Sequence, residues 1–294
     1  RAHHLELERN APEEQLDLDE SFYPLSDPAY AVELAFWKDA TGIQDETQLK
    51  EHILSVQREA YGVFTYPCIR GFSFVRFNLS RHPQYRTVLK TGASDHNAIL
   101  LDVGCFFGTD LRKAIADGYP AQNVIGADLR DDWFTLAKKL FTAPNLPNVK
   151  FLAGDVFNDD FLSLAPPGLH NSGGLNAHKG SIRFVYTCSV FHLFQEETQK
   201  EFARRLTRLL DDTPGATIFG SHGGKKVKGF REQGPTKEKM FCHSPESWKE
   251  MMAGVFEEQG KAVVQEAKIV QVQRPHHGTT SGFTDVLVWS ATLL

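Results

Sequence analysis

Three apolar runs end in an aspartate: Asp102 in LLDVGCFFGTD, Asp128 in VIGADL and Asp155 in FLAGDVF. A carboxylate at the tip of a buried strand is costly unless something there uses it. Asp102 is followed by Gly104 and Gly108, a D-x-G-x-x-x-G spacing whose glycines let the backbone approach a ligand before the next helix begins. A pyrophosphate would be repelled by Asp102, whereas a ligand carrying an ammonium would be attracted. Asp128 stands where a carboxylate accepts hydrogen bonds from both hydroxyls of a ribose, and Asp155 where one accepts from an exocyclic amino group. Each aspartate is also a good cap or turn residue. Three of them on one edge of one sheet imply a shared ligand.

The segments between these residues must be strands joined by helices. AILLDVG, NVIGADL, VKFLAGDVF, IRFVYTCSVF and ATIFGSH read as buried strands, with TDLRKAIADG, DWFTLAKKLF and EETQKEFARRLTRLLDD as helices. In the last helix Phe202, Leu206, Leu209 and Leu210 make the stripe that covers a sheet face. EAKIVQVQR and TDVLVWSATLL are joined by PHHGTTSGF with no helix between them, which predicts an antiparallel hairpin. The expected fold is therefore α/β, a Rossmann-like seven-stranded mixed sheet over residues 98–294 that ends in a C-terminal antiparallel hairpin. That ending suits class I methyltransferases using S-adenosylmethionine better than dinucleotide dehydrogenases, and the ammonium and sulfonium of that ligand suit Asp102.

Ahead of this domain, residues 26–97 are expected to form an N-terminal helical and aromatic lid. SDPAYAVELAFWKDATG carries a cap, a first-turn Pro28 and a stop at Gly42. DETQLKEHILSVQREAYG places Leu49, Ile53, Leu54 and Ala60 on one face, with Gly62 past its end. The acidic residues 1–25 are expected to be a mobile arm or a loosely docked extension. APPGLHNSGGLNAHKG, residues 165–180, reads as a long surface loop.

Methyl transfer needs alignment of a nucleophile and exclusion of water, with no metal. A carboxylate acceptor is already ionised at neutral pH, whereas an aliphatic hydroxyl wants a base. His192, just beyond the fourth strand, stands where the acceptor meets the methyl group, as base, as orienting donor, or as a satisfied structural histidine. Tyr66, Arg70, Phe72 and Phe74 combine rings with one positive charge suited to a greasy acid; the alternative is core packing and a surface ion pair for Arg70. His222, His243, Met240, Phe241 and Trp248 are further acceptor-side candidates, with core packing as their alternative. Beside the three aspartates, the cofactor wall is expected to include Tyr66, Cys105, Phe106, Leu129, Val156 and Cys188. GGKKVKG, residues 223–229, reads as a solvated basic loop.

At 294 residues and 41% hydrophobic, the chain can bury a full core. Its formal net charge of −5 argues against nucleic acid or an acidic membrane as partner. The four cysteines, Cys68, Cys105, Cys188 and Cys242, lack any C-x-x-C pair, which fits reduced thiols. With no apolar run near the roughly 18 residues of a membrane helix and no signal-peptide core, a cytoplasmic location is expected.

YGVFTYPCIRGFSFVRFNLSRHPQYRTVL, LLDVGCFFGTDLRKAIADGYPAQNVIGADL, VYTCSVFHLFQEETQKEFARRL and KEKMFCHSPESW together resemble fungal small-molecule methyltransferases of secondary metabolism. Those enzymes include ones that methylate carboxyl groups of meroterpenoid intermediates. The resemblance runs from about Tyr61 to Trp248. It implies S-adenosylmethionine as donor, S-adenosylhomocysteine as product, and transfer to oxygen of a lipophilic terpenoid or polyketide-derived acceptor. A homodimer is left open. A nicotinamide oxidoreductase would show G-x-G-x-x-G and a Tyr with Lys four positions on, and this chain has neither. A base-amino methyltransferase would show a Pro-Pro-aromatic motif after the fourth strand, where TCSVFH stands. A non-catalytic relative would show a broken cofactor loop.

Overall fold

Wholly apolar runs become parallel strands where both faces are covered. So β1 (Leu100–Val103) and β2 (Val124–Asp128) are buried almost throughout. They are followed by β3 (Lys150–Ala153), β4 (Phe184–Cys188) and β5 (Thr217–Gly223). Next come β6 (Gly229–Gln233) and β7 (Glu238–Cys242), then the long pair β8 (Val263–Gln273) and β9 (Phe283–Leu293). The computed structural model describes residues 16–169, 173–233, 238–273 and 282–294.

The main sheet runs β3-β2-β1-β4-β5-β9-β8. It is parallel through β5, and β9 and β8 are antiparallel. This is the seven-stranded class I methyltransferase arrangement, with the expected C-terminal hairpin; most of the connecting PHHGTTSGF run lies outside the described residues. Because β2 and β4 flank β1 on opposite sides, the winding reverses there. The crevice at the carboxyl ends of β1 and β4 is the natural ligand site of such a sheet.

Helices Thr109–Ala116 and Asp132–Leu140 make the first two crossovers, and Glu196–Thr207 buries Phe202 and Leu206 against the sheet. Pattern reading assigns no element between GGKKVKG and β8. The structure places there the β6–β7 hairpin and a helix, Pro245–Glu257. A capping box of Ser244 and Ser247 starts this helix, which buries Trp248, Met252, Val255 and Phe256. Of the basic loop, Lys228 Nζ pairs with Glu196 and Lys225 Nζ donates to the Phe230 carbonyl.

The N-terminal lobe is built as expected from helices Ala31–Thr41 and Glu46–Val63, the first stopped by Gly42 at φ +77° and the second capped by Asp45. Gly62 does not end the second helix but sits in its last turn; a glycine there costs only about 1 kcal/mol of helix propensity. Trp37, wholly buried, fastens the lobe to the sheet domain. Its ring stacks on Phe141 of the sheet domain at 5.2 Å, while its Nε1 donates to the Val75 carbonyl within the lobe at 2.9 Å. Residues 16–25 are docked rather than loose: the Tyr61 hydroxyl donates to the Leu16 carbonyl, Arg70 Nε donates to the Asp17 carbonyl, and Leu25 is buried. Residues 1–15 of the expected arm lie outside the described residues, as do 170–172 of the expected loop. Within that loop Gly174–His178 forms a 3-10 turn whose Asn176 caps Ser163. Among the described residues, no helix is long and apolar enough to cross a membrane.

Trp37→Ala is expected to lower the unfolding free energy by roughly 3–5 kcal/mol in urea titrations, the cost of a large buried aromatic and its hydrogen bond.

Candidate active site

The loop after β1 is shaped by three backbone bonds. The amides of Gly104 and Cys105 both donate to the Ala127 carbonyl, at 2.8 and 3.2 Å, folding the loop against the end of β2. The Phe106 amide donates to Asp128 Oδ2 at 2.8 Å. This geometry requires left-handed backbone at Gly104 (φ +80°) and at Phe106 (φ +51°), a conformation that strains a residue bearing a side chain. Gly104 has a second reason to be glycine: a Cβ there would lie 2.3 Å from Val190 Cγ2. Gly108, expected at the ligand, is instead the N-cap of the next helix, where a Cβ would meet Phe151.

A cavity of about 330 Å³ opens over the carboxyl ends of the parallel strands. Asp102, Asp128 and Asp155 all line it, with Tyr66, Gly104, Cys105, Phe106, Leu129, Val156 and Cys188. The structure thus gathers every expected cofactor-side residue except Gly108. It adds Asp110, which pattern reading passed over as a helix first-turn residue. Asp110 Oδ1 accepts the Asn78 and Leu79 amides at 2.9 and 3.1 Å, and Oδ2 accepts the Tyr186 hydroxyl at 3.3 Å. Trp133, also missed, lies 4.7 Å from Phe106, centroid to centroid, and forms an aromatic wall with it.

Asp102, Asp110 and Asp128 line this cavity together with Asp155. Burial, then the charges of Asp110 and Asp128, pushes the Asp102 carboxyl well above its usual range. Burial lifts Asp110 and Asp128 to about 6 each, against the pull of the backbone amides that they accept. Such a concentration of carboxyls suits a cationic ligand. Asp128 accepts Phe106 through one oxygen and Leu129 through the other, leaving each oxygen capacity for a hydroxyl. Asp155 also serves as a turn residue, its Oδ1 accepting the Phe157 amide at 2.9 Å.

The opposite end of the cavity is basic and apolar: His192, His222, Arg231, Lys239, Met240 and Val286 line it. His192 Nδ1 accepts the Gly223 amide at 3.0 Å, and His222 Nδ1 accepts the Trp289 indole at 3.1 Å. Burial, then the charges of His192, His243 and Arg231, holds His222 well below the ordinary imidazole range, so it stays neutral.

Several expected acceptor residues are elsewhere. Arg70 is off the cavity, bound to Asp17 and stacked over Phe22 at 5.0 Å. Phe72 and Trp248 are core residues, 0% and 1% exposed, as the alternation of the aromatic segment and the inward face of the Pro245–Glu257 helix require. His243 is buried with Nδ1 on Ser247 Oγ at 2.9 Å. The guanidinium beside His192 in the cavity is Arg231, on the unforeseen β6–β7 hairpin; Arg76 lines the cavity as well. Arg231 Nη1 donates to the Gly224 and Asp285 carbonyls at 3.1 and 2.8 Å. The available signal was alternation in GFREQ, too short to read alone.

Comparison with known proteins agrees with this geometry. The "Meroterpenoid methyltransferase N-terminal domain" family matches residues 22–75. "Methyltransferase trt5" of Aspergillus terreus is 33% identical over 215 residues, 71% of each chain. The "Asnovolin E/Chermesin D methyltransferase nvfJ" of Aspergillus novofumigatus is 28% identical over 69% of each chain. "O-methyltransferase atr3" of Stereocaulon alpinum is 33% identical over 61% of this chain, and the match spans about half of that relative, 49%.

The raised carboxyls carry a pH signature. Between about pH 4 and 6 the folded protein keeps protons that the unfolded chain has released, so in this window these groups reduce stability as pH rises. Asp128→Asn removes one of them. From pH 4 to pH 7 the variant's unfolding free energy, relative to wild type, is expected to gain up to about 2 kcal/mol in urea titrations; a pH-independent difference would show the carboxyl is not held up.

Proposed function

Because the chain belongs to the family of fungal secondary-metabolite methyltransferases, we propose that it transfers a methyl group from S-adenosylmethionine to oxygen of a lipophilic small molecule, at a carboxylate. The observation that carries this reading is the division of charge within one cavity. Four carboxyls, Asp102, Asp110, Asp128 and Asp155, gather at one end, and two imidazoles, the Arg231 guanidinium and the Lys239 ammonium line the other.

The acidic end fits the donor. Asp102 and the glycine loop would hold its amino-acid part, with Asp110 adding negative charge. Asp128 would take the ribose hydroxyls and Asp155 the adenine amino group, between the walls made by Tyr66, Phe106, Leu129, Val156 and Trp133. When bound, S-adenosylmethionine supplies a methyl carbon activated for in-line displacement, and S-adenosylhomocysteine is left as product. The chain's own work is to orient the acceptor and keep water out. Apolar Met240 and Val286 favour a greasy acceptor, and Arg231 takes the role expected of Arg70. A meroterpenoid or polyketide-derived acid is the acceptor class, by likeness to nvfJ and to the family matched at residues 22–75. All four cysteines are free thiols, which is the basis for placing the protein in the cytoplasm.

Calorimetric titration with S-adenosylmethionine and, separately, NADPH tests the reading. Binding of the first alone is expected, weakened at least about ten-fold by Asp128→Ala, which loses two charge-assisted acceptor sites. No heat with S-adenosylmethionine would overturn it.

A further inference from the structure

The acidic end of the cavity leaves one group of the proposed donor unmatched. The amino-acid part of S-adenosylmethionine carries a carboxylate as well as an ammonium, and the aspartates that attract the second repel the first. Loop amides ahead of a helix often meet such an anion. Here four of them are already engaged: Gly104 and Cys105 donate to the Ala127 carbonyl, Phe106 to Asp128 and Gly108 to the Cys105 carbonyl. A cation is the natural counter-group, and the N-terminal lobe brings one to the cavity wall, Arg76. The chain on either side of Arg76 is fixed to the first turn of the Thr109–Ala116 helix. The Phe74 carbonyl accepts the Thr109 hydroxyl at 2.8 Å, and the Asn78 amide donates to Asp110 at 2.9 Å. Phe74 also packs edge-on against Phe106, with 6.0 Å between ring centroids. These contacts set Arg76 at the carboxylate end, whereas Arg231 and Lys239 belong to the β6–β7 hairpin at the other.

We propose that Arg76 binds the carboxylate of the donor's amino-acid part, so that the N-terminal lobe is a working wall of the donor site. This rests on the methyltransferase reading above and extends it to a group that reading leaves unassigned. Arg76 is half-buried, where an ion pair is worth more than at the open surface. Its guanidinium lies over the Tyr30 ring at 5.5 Å, a lobe contact that limits where the fork can point. Five N–H donors in one plane let it keep its contacts within the protein while two of them take a carboxylate. The ammonium then faces Asp102, and each charge of the zwitterion meets its complement. A ligand held by both the glycine loop and Arg76 bridges the sheet domain and the lobe, so it binds best to the docked arrangement and stabilises it. The lobe, expected as a lid over the acceptor, thereby serves the donor.

Calorimetric titration with S-adenosylhomocysteine and with its decarboxylated analogue, S-adenosyl-3-thiopropylamine, isolates the carboxylate, because the two ligands share every other group. Wild type is expected to prefer S-adenosylhomocysteine at least about ten-fold, and R76Q to cut that preference about five-fold or more. The ratio is read on one preparation, so a general loosening of the site, which weakens both ligands alike, does not imitate the effect. R76K keeps the charge but not the fork; it is expected to cut the preference about three-fold or more and is the readout should R76Q not fold. A smaller wild-type preference, or a smaller cut in R76Q (in R76K, should R76Q not fold), overturns the proposal and leaves the methyltransferase reading intact. No binding of S-adenosylhomocysteine to wild type sinks that reading, and the proposal with it.

Discussion

The Asp128 carboxylate holds the Phe106 amide with one oxygen and the Leu129 amide with the other, and the shape of the glycine loop depends on that pair of bonds. They keep Phe106 in a left-handed conformation that an L-residue adopts at a cost, and they turn its ring toward Trp133. The same carboxylate shares a cavity with Asp102, Asp110 and Asp155. Asp110, Asp128 and Asp155 each accept backbone amides, which offsets part of the cost of concentrating negative charge. For Asp110 those amides come from Asn78 and Leu79 of the N-terminal lobe. The contact that docks the lobe is therefore also part of the electrostatics of the pocket.

The other end is organised by the opposite logic. Imidazoles are fixed by donors that cannot reverse their role, one a backbone amide and one an indole, and Arg231 is steadied by two carbonyls. Burial keeps His222 neutral, so the positive potential there comes from Arg231 and Lys239. A cationic donor at one end and an anionic acceptor at the other would each find complementary charge, with the reacting atoms between.

Much of this was legible before any coordinates. The alternation of apolar runs with amphipathic helices, the D-x-G-x-x-x-G loop and aspartates at strand tips are local features, set by periodicity, glycine backbone freedom and capping chemistry within a few residues. They sufficed for a seven-stranded mixed sheet with its antiparallel end and for most of the residues gathered at the carboxylate end of the cavity. The β6–β7 hairpin and the Pro245–Glu257 helix were not read, because five-residue strands carry too few alternations and the cap at Ser244 follows a run with no clear period.

By itself, then, the sequence determined the class of fold and the edge of the sheet on which chemistry could occur. Tertiary structure alone decided which side chains face the cavity. Arg70 and Arg231 are equally basic on paper, yet one is drawn to Asp17 at the surface and the other is carried inward by a hairpin. Phe72, His243 and Trp248 went to the core, and Asp110 came to the cavity. The tautomers of His192 and His222 belong to the same category, since each is set by a donor from an element distant in the chain, 31 and 67 residues away. The physical reason is the range of the interactions: periodicity and capping act over one or two turns, whereas facing, burial and protonation are fixed only when separate elements pack together.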